Sequence, residues 1–292
     1  TFRLSTSNLK LLLEQGYPYV LQRLGPQLKT FELAYADEDD AVFKKLDHFR
    51  CRIKDLELHG INQASPYALS ESNQSNYVET LSLYKVKPFQ FGWLKRMRSL
   101  RSLKLYYNDL RDSFASNDSE EENDYYMEPI NLSKLLQLCP NHVESVSIFS
   151  SSITYDTSID KQFDIKELWL HNVDIRPVNF DLFITKCFPN LHILKLDFTI
   201  AEKDASLYFP NHHFSVLGFR LGFYEFDFAI TTLNNNKTHF FSKGNRESRK
   251  DYSLFGNEIV PAVEGEFIKG EFIHVVCGST RSLYLNNRLG YF

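Results

Sequence analysis

A spaced apolar triplet, one large apolar residue followed by others three and five positions later, recurs along the 292-residue chain and limits its fold more than any other feature. It occurs as Leu28-Phe31-Leu33, Ile53-Leu56-Leu58, Val78-Leu81-Leu83, Leu100-Leu103-Leu105, Val143-Val146-Ile148, Ile165-Leu168-Leu170, Leu191-Leu194-Leu196 and Phe214-Leu217-Phe219. Successive first members are 25, 25, 22, 43, 22, 26 and 23 residues apart, a nearly constant interval broken by one double-length step. The last two members are two residues apart, so on a short strand they share one face and the residues between them point the other way. A single strand of this kind cannot bury its apolar face. Parallel stacking of many such strands can, and it leaves the alternate residues on an open wall.

The segments between triplets supply the covering layer. Ile130 to Leu138 and Phe180 to Cys187 carry apolar residues at helical spacing, and prolines Pro140 and Pro189 follow them closely, stopping each helix before the next strand. Pattern and period together predict an α/β leucine-rich-repeat solenoid, a horseshoe with a parallel inner sheet and helices or irregular arcs outside. It is expected as a single domain over 1–292. Residues 1–24 form its N-terminal cap, with a helical apolar stripe from Ser7 to Leu24. About eight repeats span 25–222, interrupted at 112–126 by an acidic, disordered insertion in the long turn. Degenerate repeats and a C-terminal cap occupy 223–292, with Thr280 to Leu285 as a weak last repeat.

Composition narrows the function classes. A net charge of -4 without a basic, aromatic-interleaved run argues against nucleic acid as a partner. No apolar stretch approaches the length of a membrane span, and the N-terminus lacks a signal-peptide pattern. Cys51, Cys139, Cys187 and Cys277 are scattered, with no CxxC pair, which favours a reducing compartment; the expected location is cytoplasmic or nuclear. Phosphate loops, nucleophile elbows and HExxH are missing, and the His212-His213 pair has no third ligand nearby in sequence. The expectation is therefore a binding protein rather than an enzyme, with no cofactor, no metal and no catalytic residue.

The strand register allows the open wall to be written out. Its central column is Glu32, Glu57, Ser82, Lys104, Ser147, Trp169, Lys195 and Gly218; the column two residues later is Ala34, His59, Tyr84, Tyr106, Phe149, His171, Asp197 and Arg220. Clustered aromatics with flanking charges have the composition of binding hot spots. The candidate partner-binding residues are Tyr84, Tyr106, Phe149, Trp169, His171, Glu57, Lys104 and Lys195.

Two segments carry a family resemblance. Leu135 to Val146, through Cys139-Pro140-Asn141, and Lys186 to Leu196, through Cys187-Phe188-Pro189-Asn190, resemble the turns of F-box proteins with ribonuclease-inhibitor-like leucine-rich repeats, in the divergent form abundant in fungi. The resemblance covers the repeat region, about Leu24 to Leu221. It implies a protein–protein interaction module, the substrate-recognition repeat region of an F-box-type ubiquitin-ligase receptor acting in ubiquitin-dependent degradation. A protein substrate would bind the concave face. A Skp-type cullin adaptor would be reached only through an F-box, which residues 1–292 do not contain. The alternative expectation is a leucine-rich-repeat scaffold or regulator unconnected with ubiquitin, such as one that contacts a small GTPase.

Overall fold

The computed structural model describes residues 2–5, 11, 18–34, 41–59, 64–84, 88–107, 129–175, 179–197, 204–221, 226–243, 260–262, 271–285 and 288–291. The chain divides into two compact units, Thr1–Thr154 and Tyr155–Phe292. Both are α/β, with a mostly parallel sheet.

In the first unit the elements are β1 (Phe2–Ser5), α1 (Pro18–Leu24), β2 (Leu28–Ala34), α2 (Ala41–His48), β3 (Asp55–His59), α3 (Ala64–Glu71), β4 (Thr80–Tyr84), β5 (Ser102–Tyr106), β6 (Ile130–Asn131), α4 (Leu132–Leu138) and β7 (Ser145–Thr154). Turns of 3-10 helix at Gly25–Gln27, Asn73–Asn76 and Pro88–Arg96 complete the connections. The sheet order is β1-β2-β3-β4-β5-β7, every pair parallel, and the two-residue β6 pairs with β7. Strands that follow one another in chain order through right-handed crossovers place all their connections on the same side. Among the described residues, nothing covers the opposite face, where Glu57, Tyr84, Lys104 and Tyr106 stay partly exposed.

The apolar triplet sets the register. Phe31, Leu56, Leu81, Leu103 and Val146 pair across β2 to β7, as do Leu33, Leu58, Leu83, Leu105 and Ile148. No triplet residue in either unit is more than 2% exposed. Burying a side chain of this size is worth about 1.5–3 kcal/mol, so the repeated triplet is the main source of cohesion. Covering residues come from the connections: Val42, Phe43 and Leu46 on α2, Leu69 on α3, Phe91, Trp93 and Leu94 in the third turn, and Leu132, Leu135 and Leu136 on α4 are all buried.

A second repeated device holds the strand entrances together. The N–H of Glu79 donates to the carbonyl of Lys54 at 2.8 Å, that of Arg101 to Glu79 at 2.8 Å and that of Glu144 to Arg101 at 2.8 Å. The next N–H in each case, from Thr80, Ser102 and Ser145, donates to the same carbonyl. All of these acceptors immediately follow a first triplet member. Repetition of the sequence thus becomes repetition of a backbone hydrogen bond.

The second unit continues the pattern with β8 (Glu167–Ile175), α5 (Phe180–Cys187), β9 (Ile193–Asp197), β10 (Asp204–Phe214), β11 (Val216–Arg220), β12 (Phe226–Thr232), β13 (Lys237–Lys243), β14 (Val260–Ala262), β15 (Glu271–Thr280), β16 (Ser282–Leu285) and β17 (Arg288–Tyr291). One sheet has the order β8-β9-β11-β16-β17, parallel except for the last pair; the other has the order β10-β15-β12-β13-β14. Single residues, Ser215 and Arg281, separate β10 from β11 and β15 from β16, so two chain segments pass from one sheet into the other. Leu217 pairs with Leu283 and Phe219 with Leu285, which puts buried Thr280 where the triplet's first member would stand.

Two expectations meet the structure only in part. Of the helical stripe Ser7 to Leu24, residue 11 and Pro18–Leu24 are helical and the remainder lies outside the described residues, while the strand β1 that precedes it carries no recognisable sequence signal. The insertion 112–126 lies wholly outside the described residues. The two helices read from the sequence are present as α4 and α5; Asn131 caps α4 by accepting the N–H of Lys134 at 2.9 Å.

Candidate functional site

On the uncovered face of β2 to β7 the second column forms a continuous stack of rings. His59 and Tyr84 lie with centroids 4.0 Å apart and planes within 6°, Tyr84 and Tyr106 at 4.3 Å and 4°, and Tyr106 and Phe149 at 4.3 Å and 6°. The register accounts for this, because the four residues pair with one another across adjacent strands. Parallel strands in register set identical side-chain positions about 4.8 Å apart, close to the centroid spacing of offset-stacked rings. His59, Tyr84 and Tyr106 stay partly exposed, but Phe149 is buried, at 8% exposed, and offers little contact surface. Burial raises the Tyr106 phenol above its ordinary pKa; the Tyr84 hydroxyl is its hydrogen-bonding neighbour.

The central column beside the rings runs Glu32, Glu57, Ser82, Lys104 and Ser147. Ser82 and Ser147 are buried although they point to the open side, since each is a short side chain next to the longer Lys104. Glu32 and Glu57 are direct cross-strand neighbours, and His59 Nε2 lies 3.7 Å from Glu32 Oε1 and 3.8 Å from Glu57 Oε2. This end of the wall is acidic. Lys104 is the nearest basic residue of the same column.

In the second unit Trp169, His171 and Lys195 come together around Asp197. Trp169 Nε1–H donates to Asp197 Oδ2 at 2.9 Å, and His171 Nδ1 is 3.5 Å from the same oxygen. Lys195 Nζ sits 5.0 Å from the Trp169 ring centroid, a cation–π arrangement worth about 0.5–1 kcal/mol where exposed. Trp169 pairs with Lys195 and His171 with Asp197 across β8 and β9. Gly218 pairs with Lys195, and a Cβ there would meet Lys195 Cγ at 3.1 Å; the glycine leaves room for the lysine stem.

All eight candidate residues except Phe149 therefore retain partial exposure, and they occupy two groups, one in each unit. Asp197, Glu32 and His59 stand in the columns deducible from the sequence. Only the structure shows that the first organises the Trp169 group and that the other two meet Glu57. The His212-His213 pair is divided between roles: buried His212 bonds the Phe188 carbonyl through Nε2 at 2.9 Å, and His213 Nδ1 meets Ser279 Oγ at 2.8 Å. All four cysteines are buried and outside any disulfide, and burial pushes the Cys51 thiol up to about 11 and that of Cys277 up to about 12. Among the described residues, no helix is long and apolar enough to cross a membrane. No family model, curated protein or solved structure matches this chain.

Proposed function

We propose that the chain is a leucine-rich-repeat solenoid that binds protein on its uncovered sheet face, as the substrate-recognition repeat region of an F-box-type ubiquitin-ligase receptor in the cytoplasm or nucleus. The observation that carries the binding role is the ring stack His59-Tyr84-Tyr106-Phe149, flanked by Glu57 and Lys104 on the side of the sheet away from its connections. Flat aromatic surface with charged neighbours and little rotamer freedom is the composition of interface hot spots. The group Trp169, His171 and Lys195 extends the same chemistry in the second unit. No catalytic role is assigned to any residue.

The ubiquitin connection rests on the two helix-to-strand turns through Cys139-Pro140-Asn141 and Cys187-Phe188-Pro189-Asn190. The competing reading is a scaffold or regulator that uses the same wall for a partner such as a small GTPase. Pull-down of a Skp-type adaptor separates them. Capture by the full-length gene product and not by these 292 residues supports the receptor; capture by neither removes the ubiquitin link and leaves the scaffold. On the wall itself, Tyr106→Ala and Trp169→Ala should each weaken partner capture by about 2 kcal/mol or more, the loss expected of a hot spot.

A further inference from the structure

We propose that Glu32, Glu57 and His59 form a binding site for a divalent transition-metal cation, with Zn2+ as the fitting ion. The three offer one ligand atom each within 4.8 Å of one another. The distances from His59 Nε2 to the two carboxylates, 3.7 and 3.8 Å, are too long for hydrogen bonds and suit a shared metal. Ligand atoms about 2.1 Å from a tetrahedral centre lie about 3.4 Å apart, so the two distances from His59 need shorten by only a few tenths of an ångström, and the two carboxylate oxygens close up by rotation of the glutamate side chains.

Three observations point the same way. His59 Nε2 is shielded from solvent yet has no hydrogen-bond partner among the described residues, a costly state for a ring nitrogen unless something occupies it. The backbone register sets Glu32 directly opposite Glu57, so two carboxylates from neighbouring strands stand beside the one imidazole. Stacking on Tyr84 holds the imidazole plane, the kind of orientation a metal ligand requires. One imidazole and two carboxylates suit zinc and its neighbours better than calcium or magnesium, which take oxygen ligands alone. With side chains 18%, 27% and 26% exposed, the group is reached by solvent from its edge although His59 Nε2 itself is shielded, and three protein ligands leave a fourth position for water or for a group from a bound protein. The inference stands on these residues and not on what the wall binds.

The test uses the whole chain, purified without an affinity tag that binds metal. Zinc is titrated against a chromophoric chelator, and Co2+ is added separately to read its visible absorption. One equivalent per chain is expected. His59→Gln and the double variant Glu32→Gln/Glu57→Gln should weaken binding by more than the roughly 10- to 100-fold that changes outside the ligand shell cost, with far-UV circular dichroism unchanged. Wild-type protein also reports directly, because zinc should move the His59 Nε2 resonance even if a variant fails to fold. His213→Gln serves as the control and should bind as wild type does. No stoichiometric binding by the wild type, an unmoved His59 resonance, or loss only in His213→Gln would overturn the proposal.

Discussion

Adjacent residues in this chain have opposite fates, and Leu105, Tyr106 and Tyr107 show it. Leu105 is in the core, Tyr106 stacks on the open face, and Tyr107 is buried with a hydroxyl that has no hydrogen-bond partner among the described residues. Burial accordingly drives the Tyr107 phenol well above its ordinary pKa. An unsatisfied buried hydroxyl costs about 1–3 kcal/mol, so Tyr107→Phe should leave urea-unfolding stability equal or raised by about 1 kcal/mol. Loss of stability would show that the hydroxyl has a partner. Leu105→Ala should cost about 2–5 kcal/mol through lost burial and a cavity. Tyr106→Ala should cost about 1–2 kcal/mol, more than an ordinary surface change, because its ring is stacked on both sides. Equal losses for Leu105→Ala and Tyr106→Ala would mean that the two faces are wrongly assigned.

Among the elements, the strands that carry the triplet were legible, and of the connections only the helices α4 and α5 were. A strand announces itself here by three apolar positions that the period repeats, and all eight triplets lie in strands or at their entrances. The connections hold together by contacts with no periodic signature. Buried Gln74 is the clearest case: its Nε2 donates to Asp47 Oδ1 at 2.6 Å and to the Cys51 carbonyl at 3.0 Å, and its Oε1 accepts the N–H of Ile53 at 3.1 Å. One side chain thus ties the turn before β4 to the end of α2 and the entrance to β3. Gln74→Ala would strand a buried N–H and carbonyl, and a loss of about 2 kcal/mol is expected in chemical unfolding; a change under about 0.5 kcal/mol would show that water replaces the amide. Gly25 was equally silent in sequence, yet a Cβ there would clash with the Phe49 carbonyl oxygen. The site was half legible for the same reason. Columns follow from the register, but the meeting of Glu32, Glu57 and His59 depends on rotamers.

For the molecule as a whole, pH should act on the second unit through His212. Burial lowers its pKa below the ordinary 6.5 of histidine. The unfolded chain therefore binds the proton first: the stability His212 contributes is complete above about pH 6.5 and is lost as pH falls from there through the lowered folded value. Stability should fall more between pH 7.5 and 5.5 in the wild type than in His212→Gln; parallel curves would mean that His212 stays protonatable in the fold. The second sheet, β10-β15-β12-β13-β14, was legible only as degenerate repeats or a β-rich cap because its strands lack the triplet, although β16 after it resumes the register. The central claim, that partners bind the uncovered face of the sheet, is tested most directly by site-specific photocrosslinking. A photoreactive phenylalanine analogue is placed at Lys104 on the wall or at Tyr67, which is exposed on α3, and crosslinked proteins are identified by mass spectrometry. The account predicts a discrete protein adduct from position 104, abolished by Tyr106→Ala, and none from position 67; an adduct from position 67 alone, or one at 104 indifferent to Tyr106, would contradict it.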